Sequence, residues 1–310
     1  MRILALVPGG IRDQILFFPT LDDLKHHYPQ ATIDVIAQPA AIGAYRISKT
    51  VRRAIPFDFS DRNSLADWGN FLGVIREQEY EAVITARVGW GVGLILWLSG
   101  IPTRIGYGQS GTGFLTHNIA DKPEQYVAHR YHDLLQGFGL QTPCPDIAVS
   151  VPRADITWAE TTQAGLDLAG KPYLLVYPST QPTAYPVKNW ASILKNLQER
   201  QPELLPLIVQ SVADPELLPA LQAAAIPHKA ISIEDMGKLA ALAAGASLVL
   251  CSDGEALHIA IAVQAYTIAL LGNAQARYHT PDSDKFRGLR SATGNVKDIV
   301  PQQVLDTILG

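Results

Sequence analysis

Apolar and polar positions along this chain alternate in two modes. The short apolar runs Ile3–Val7, Thr32–Ile36, Val51–Phe57, Ala82–Thr85 and Arg104–Gly106 read as strands, and the longer segments between them carry helical spacing. From Asp13 to Tyr28 that spacing turns Ile15, Leu16, Pro19, Leu21 and Leu24 toward a core, with Pro19 expected to kink the helix. A short helix is expected near 40–46, and longer ones over Leu65–Gln78, Gly89–Leu98 and His129–Phe138. The stretch 106–125, rich in Gly, Ser, Thr and Asn, reads as a long loop, and Pro143–Pro145 with the polar residues to about Asp155 as a linker. The pattern then restarts. Strands are expected at Tyr173–Tyr177, Leu205–Gln210, Ser247–Cys251 and Tyr266–Leu270, and helices at Trp190–Glu199, Pro215–Ala224, Ile233–Ala244 and Glu255–Val263. A terminal helix over Pro301–Leu309 is expected to pack back on the first half. Strand–helix alternation of this kind predicts parallel sheets covered by helices.

Two strand-to-helix junctions contain glycine. Pro8-Gly9-Gly10-Ile11-Arg12-Asp13 follows the first strand, and Ser252-Asp253-Gly254-Glu255-Ala256-Leu257-His258 follows Ser247–Cys251. In open α/β sheets ligands sit at such turns, because backbone N–H groups and the helix dipole converge there. One such turn in each half predicts two α/β domains, 1–150 and 151–310, facing a cleft.

Composition narrows the function classes. The 310 residues are 47% hydrophobic and 17% charged, enough apolar surface for two ordered domains. A net charge of −4 and the lack of a long basic run argue against nucleic acid as a partner. Cys144 and Cys251 lack metal-type spacing and read as reduced thiols of a cytoplasmic protein. Five apolar residues before Pro8 are too few for a signal core, and the longest apolar stretch, Val92–Leu98, is too short to span a bilayer, so only peripheral contact with a membrane stays open.

Four groups of residues could carry chemistry. Asp13, three residues into its helix start, reads either as a helix cap or as a proton acceptor. The first turn lacks the third glycine of a dinucleotide fingerprint and places an acid near that position, which disfavours a nicotinamide-dependent oxidoreductase. Ser179, Thr180 and Lys188 follow a strand and offer two hydroxyls and a cation for phosphate. In the second turn Gly254 permits close backbone approach, while Glu255 would compete with phosphate for the same donors. His258 reads equally as a core histidine or a ligand contact. Arg46, Lys49, Arg52 and Arg53 form a basic group that reads either as a solvated edge or as a contact for an acidic acceptor.

Ile3 through Tyr28, with Gly-Gly-Ile-Arg-Asp and Phe18–Leu21, resembles the opening of glycosyltransferase family 9, which contains the ADP-heptose:lipopolysaccharide heptosyltransferases. Arg104-Ile105-Gly106-Tyr107 is similar to that family's internal Arg-Ile-Gly segment. Tyr177–Trp190 is similar to its His-Pro-Gly…Lys-x-Trp stretch, and Ser252–His258 to its Asp-Thr-Gly-x-x-His signature. The resemblance implies the GT-B architecture, two Rossmann-like domains with parallel sheets facing across a cleft. The N-terminal one would take the acceptor and the C-terminal one the nucleotide-sugar. It further implies an inverting, metal-independent enzyme without a cofactor, moving a sugar from a nucleotide-diphosphate donor such as ADP-heptose to a cell-envelope glycan or glycolipid at the inner face of the cytoplasmic membrane. Asp13 would be the base. Ser179, Thr180, Lys188 and the Asp253, Gly254, Glu255, His258 turn would hold the diphosphate, with Arg12, Arg46, Arg52 and Arg53 toward the acceptor. The chain departs from the family at Tyr177, where His is common, and at Gly254-Glu255, where Thr-Gly is usual. Those departures keep a second expectation in view, a catalytically degenerate member that binds a nucleotide-sugar or a protein partner.

Overall fold

The structure, a computed structural model, describes residues 1–309 apart from 60–62, 87–88, 109–111, 179–184, 211–215, 273–277 and the side chain of Thr112. It divides into two compact units, Met1–Ser150 and Val151–Gly310.

In the first unit, strands β1 (Arg2–Val7), β2 (Thr32–Ala37), β3 (Val51–Pro56), β4 (Ala82–Thr85), β5 (Thr103–Tyr107) and β6 (His117–Ile119) form one sheet in the order β3-β2-β1-β4-β5-β6. Every pairing is parallel. The crossovers are α1 (Ile11–His27), a 3-10 helix (Pro39–Ile47), α2 (Leu65–Glu77) and α3 (Trp90–Leu98). The unit closes with α4 (Val127–His132) and a 3-10 turn, Asp133–Phe138. Apart from Arg2, β1 is buried throughout, as its unbroken apolar run demands of a central parallel strand. Helix α1 runs through the buried Pro19 as one element.

The second unit repeats the plan. Strands β7 (Tyr173–Tyr177), β8 (Leu205–Gln210), β9 (Lys229–Ser232), β10 (Leu248–Ser252), β11 (Thr267–Leu271) and β12 (Phe286–Arg290) lie in the order β12-β11-β10-β7-β8-β9, again all parallel. Its helices are α5 (Arg153–Gly165), α6 (Val187–Arg200), α7 (Leu217–Ala223), α8 (Met236–Gly245), α9 (Glu255–Ala262) and α10 (Pro301–Leu309). Both units are therefore doubly wound sheets whose strand order reverses at one pair, β1/β4 in the first and β7/β10 in the second.

Five elements differ from the sequence expectation. Strand β6 lies in the stretch expected to be loop, and β9 and β12 were not expected. All three are edge strands, and their mixed burial and basic residues hide the apolar signal that marks a central strand. Helix α5 begins inside the expected linker. Only Asp155 and Ala159 are buried on it, so no apolar stripe announces it. Helix α10 does not join the first unit: Val304 and Leu305 are packed into the second unit's core with Trp190, Ile193 and Leu197 of α6. The buried Tyr185 reinforces that core by donating from its hydroxyl to the carbonyl of Ile299 at 2.8 Å.

The basic group of the first unit resolves into separate roles. Asp34, in the middle of β2, is buried at 1% exposure. Its carboxylate accepts from Arg52 Nε at 2.9 Å, from Arg52 Nη2 and from the Tyr80 hydroxyl at 2.7 Å. Arg52 also approaches Gln78, which precedes β4, so it lies toward the N-terminal end of the sheet. Ligands of doubly wound sheets gather at the opposite, C-terminal end. Arg52, expected toward the acceptor, serves in the structure as counter-ion to a buried carboxylate. Arg53, exposed beside it on β3, shares the unfavourable end. Asp34 is buried but Arg52 is exposed, so losing Arg52 costs its charge-assisted hydrogen bonds and not the full penalty of a buried pair. Arg52→Ala is expected to lower the unfolding free energy by about 1–2 kcal/mol in urea titrations, and Arg53→Ala by less than about 0.5 kcal/mol.

Candidate active site

The turn after β1 is built around two adjacent side chains at the start of α1. Asp13 is half-buried, and its Oδ2 accepts from the backbone N–H of Gly10 at 3.0 Å, closing the helix start. Its Oδ1 accepts from the Tyr131 hydroxyl of α4 at 3.1 Å. Burial, with the charge of Asp13 added, pushes the Tyr131 phenol far above its ordinary range, so Tyr131 stays a protonated donor. Gln14 is fully buried. Its Nε2 donates to the carbonyls of Val7 (2.9 Å), Gly9 (3.2 Å) and Gly10 (3.3 Å), and its Oε1 accepts from Tyr45 at 2.5 Å. The backbone of the turn is thus clamped from beneath by one amide. A Cβ on Gly9 would fall 2.5 Å from Asp13 Oδ2, so glycine there is what lets the carboxylate fold back. Arg12 is half-buried beside this group, and its Nε is buried without a hydrogen-bond partner among the described residues. Arg46 is exposed in the last turn of the 3-10 helix that connects β2 to β3.

In the second unit the corresponding edge is crossed by one hydrogen bond. Tyr177, the last residue of β7, donates from its hydroxyl to Oε1 of Glu255, the first residue of α9, at 2.7 Å. Burial and the neighbouring carboxylate push the Tyr177 phenol up, which keeps the proton on tyrosine. Two of the three positions at which this chain departs from the family pattern therefore touch each other. Asp253 is half-buried and Gly254 exposed. Gly254 is extended and precedes α9 without a side-chain cap, which leaves first-turn N–H groups of that helix without a capping side chain. A Cβ on Gly254 would meet nothing within 4 Å, so the described residues leave the space above it open. Ser252, 6% exposed, carries a buried Oγ with no partner among the described residues.

The structure places two further candidates of the second unit. His258 is 0% exposed, so its ring supports α9 from within and presents no surface to a ligand. Lys188 is exposed on the first turn of α6, where it lines a shallow groove with Ser192, Lys195 and Glu199, on the face opposite the buried Trp190, Ile193 and Leu197. Its ammonium makes no hydrogen bond or ion pair with the described residues, and only its long stem would bring it to the strand edge. Ser179 and Thr180 lie outside the described residues. No group of three or more His, Cys, Asp or Glu that could hold a metal occurs among the described residues. Gln14, Tyr131 and Tyr45 escaped the sequence reading. The one available signal was a polar residue, Gln14, at a core-facing position beside Asp13.

The family model described as Glycosyltransferase family 9 (heptosyltransferase) matches residues 69–309. The chain is 23% identical to lipopolysaccharide heptosyltransferase 2 of Escherichia coli strain K12, over 99% of this chain and 97% of that protein. The solved structure of E. coli ADP-heptose lps heptosyltransferase II superposes with a TM-score of 0.81 at 22% identity, covering 100% of this chain and 98% of that one. E. coli heptosyltransferase WaaC with ADP-2-deoxy-2-fluoro heptose gives a TM-score of 0.79 at 16% identity, covering 100% and 99%. A stretch of 108 residues, 34% of this chain, is 26% identical to photosynthetic NDH subunit of subcomplex B 1, chloroplastic, of Arabidopsis thaliana, of which it spans only 23%.

The two glycines predict opposite responses to a methyl group. Gly9→Ala is expected to displace Asp13 and cost about 1–3 kcal/mol, as overpacking does. Gly254→Ala is expected to leave the melting temperature unchanged. Thermal denaturation of the two variants beside the wild type checks both.

Proposed function

The chain belongs to glycosyltransferase family 9, a heptosyltransferase-like member with the GT-B fold, and from that premise we propose that it moves a heptose-like sugar from a nucleotide-diphosphate donor, such as ADP-heptose, to a cell-envelope glycan or glycolipid. The observation that carries this reading is the placement of a fixed, half-buried carboxylate, Asp13, at the strand-order reversal of the first unit. Each Asp13 oxygen accepts one internal hydrogen bond and keeps capacity for another. An acceptor hydroxyl would give its proton to Asp13 while its oxygen bonds to the anomeric carbon. The bond from that carbon to the diphosphate breaks, and its electron pair leaves with the diphosphate. Attack opposite the leaving group inverts the anomeric centre.

The second unit would take the donor. The uncapped first turn of α9 offers N–H groups to the diphosphate. Ser179, Thr180 and Lys188 would add hydroxyls and a cation, and charge stabilisation from these groups would replace that of a metal. Arg12, half-buried beside Asp13, and the exposed Arg46 would offer cations to an acidic acceptor. Glu255 favours a second reading. A carboxylate at the start of α9 repels phosphate, which suits a degenerate member that binds a partner instead, and one relative of part of the chain is named as a subunit of a larger assembly.

Asp13→Asn is expected to lower kcat for sugar transfer by about 10²–10⁴-fold, the usual span for a lost general base, with an unchanged melting temperature. Equal turnover would remove Asp13 from the reaction. For the donor, Glu255→Gly is expected to tighten ADP binding by about tenfold in calorimetry, about 1.4 kcal/mol. Absence of ADP binding to both proteins would favour the degenerate reading.

A further inference from the structure

The second unit carries an open cleft at the N-terminal ends of β10, β11 and β12, the end of the sheet opposite the Asp253 turn. Its volume is about 370 Å³, within the span of small-molecule sites. The floor is apolar. Leu248 and Ile268 belong to the core that this sheet shares with α6 and α10, and both reach the cleft. Tyr266, just before β11, stands on the rim at 59% exposure. Lys285, just before β12, holds its ammonium 5.8 Å from the centroid of the Tyr266 ring.

Charge says what the cleft fits. The parallel pairing of β11 with β12 sets Arg287 opposite Ile268, so both side chains leave the same face of the sheet. An arginine therefore lines an apolar cleft. Among the described residues, neither Arg287 nor Lys285 makes an ion pair or a hydrogen bond through its side chain. Asp284 is the one carboxylate among the described residues that line the cleft, against these two cations. The cleft thus carries surplus positive charge in a chain whose net charge is −4. An inward-facing charge on an edge strand blocks the addition of further strands, which accounts for Arg287 taken alone. It does not account for an exposed aromatic ring and a second free cation on the same cleft. An apolar floor with a few convergent polar groups is the make-up of a ligand site.

We propose that this cleft is a second ligand site, which takes a small organic anion with a flat apolar body. The body lies on Leu248 and Ile268 and against the Tyr266 ring, and the acid group meets Lys285 and Arg287, whose guanidinium suits a two-oxygen acid. The site is separate from the donor turn. Strand β10 runs five residues from Leu248 to Ser252, which sets the two roughly 13 Å apart along the strand. The proposal therefore stands independently of the sugar-transfer reading.

Full-length protein is titrated with 8-anilinonaphthalene-1-sulfonate, a flat apolar monoanion whose emission rises in apolar surroundings. Wild type is expected to show one saturable site. 2-Naphthoate is expected to displace the probe, whereas the uncharged 2-naphthalenemethanol at the same concentration, and ADP, are expected to leave it bound. Lys285→Gln/Arg287→Gln is expected to weaken probe binding at least about tenfold, as loss of charge-assisted contacts does, with an unchanged melting temperature. Tyr266→Ser, which removes the exposed ring and no charge, is expected to weaken it about threefold and serves if the double variant fails to fold. The absence of a saturable site, or variants that bind the probe as well as wild type, would overturn the proposal. Displacement by ADP, or equally by the uncharged alcohol, would overturn it too. So would a wild-type dimer that the double variant disperses, with no probe bound by either protein.

Discussion

A parallel sheet whose strand order reverses cannot fill the edge at the reversal, because the helices that follow the two strands depart to opposite faces. That constraint operates twice in this chain, at β1/β4 and at β7/β10, with the same strand order in both units. Each reversal leaves a pocket of backbone ends that needs local chemistry to satisfy it. In the first unit a buried glutamine amide closes the turn from below and an aspartate folds back over a glycine from above. In the second, a tyrosine and a glutamate span the reversal by one hydrogen bond.

The two solutions differ in what they leave unsatisfied, and the difference sorts the chemistry. The first turn ends with a carboxylate held by two donors, each oxygen keeping room for one more hydrogen bond. The second ends with helix N–H groups that no side chain among the described residues caps, beside space above Gly254 that those residues leave open. A proton acceptor and an anion-binding turn are the two components that transfer to a hydroxyl requires. Glu255 complicates the second component. The Tyr177 hydroxyl draws on one of its oxygens and fixes its position, which limits where that charge can act without removing it.

How much of this was legible follows burial. The central strands are unbroken apolar runs, since both faces of a parallel sheet are covered, and the sequence pattern locates β1, β2, β4, β7, β8, β10 and β11 closely. The edge strands β6, β9 and β12 are mostly exposed or half-buried, with at most one buried residue each, and carry no comparable signal. Asp13 was legible because two glycines followed by an acid announce a helix start under a turn. Its partner Tyr131 lies 118 residues away and could not be inferred from local pattern. Tyr177 and Glu255 were each visible as departures from a family pattern, but their contact, across 78 residues, exists only in the fold. Arg52 misled because a basic cluster in sequence looks like a patch, whereas the sheet turns this arginine onto the buried Asp34.

The account assigns anion binding to one reversal and proton acceptance to the other, so amide hydrogen exchange with and without ADP tests it most directly. The prediction is slowed exchange in peptides covering 252–258, from amides drawn into hydrogen bonds with the diphosphate, and unchanged exchange over 7–15. Slowing confined to 7–15, with 252–258 unaffected, would contradict it.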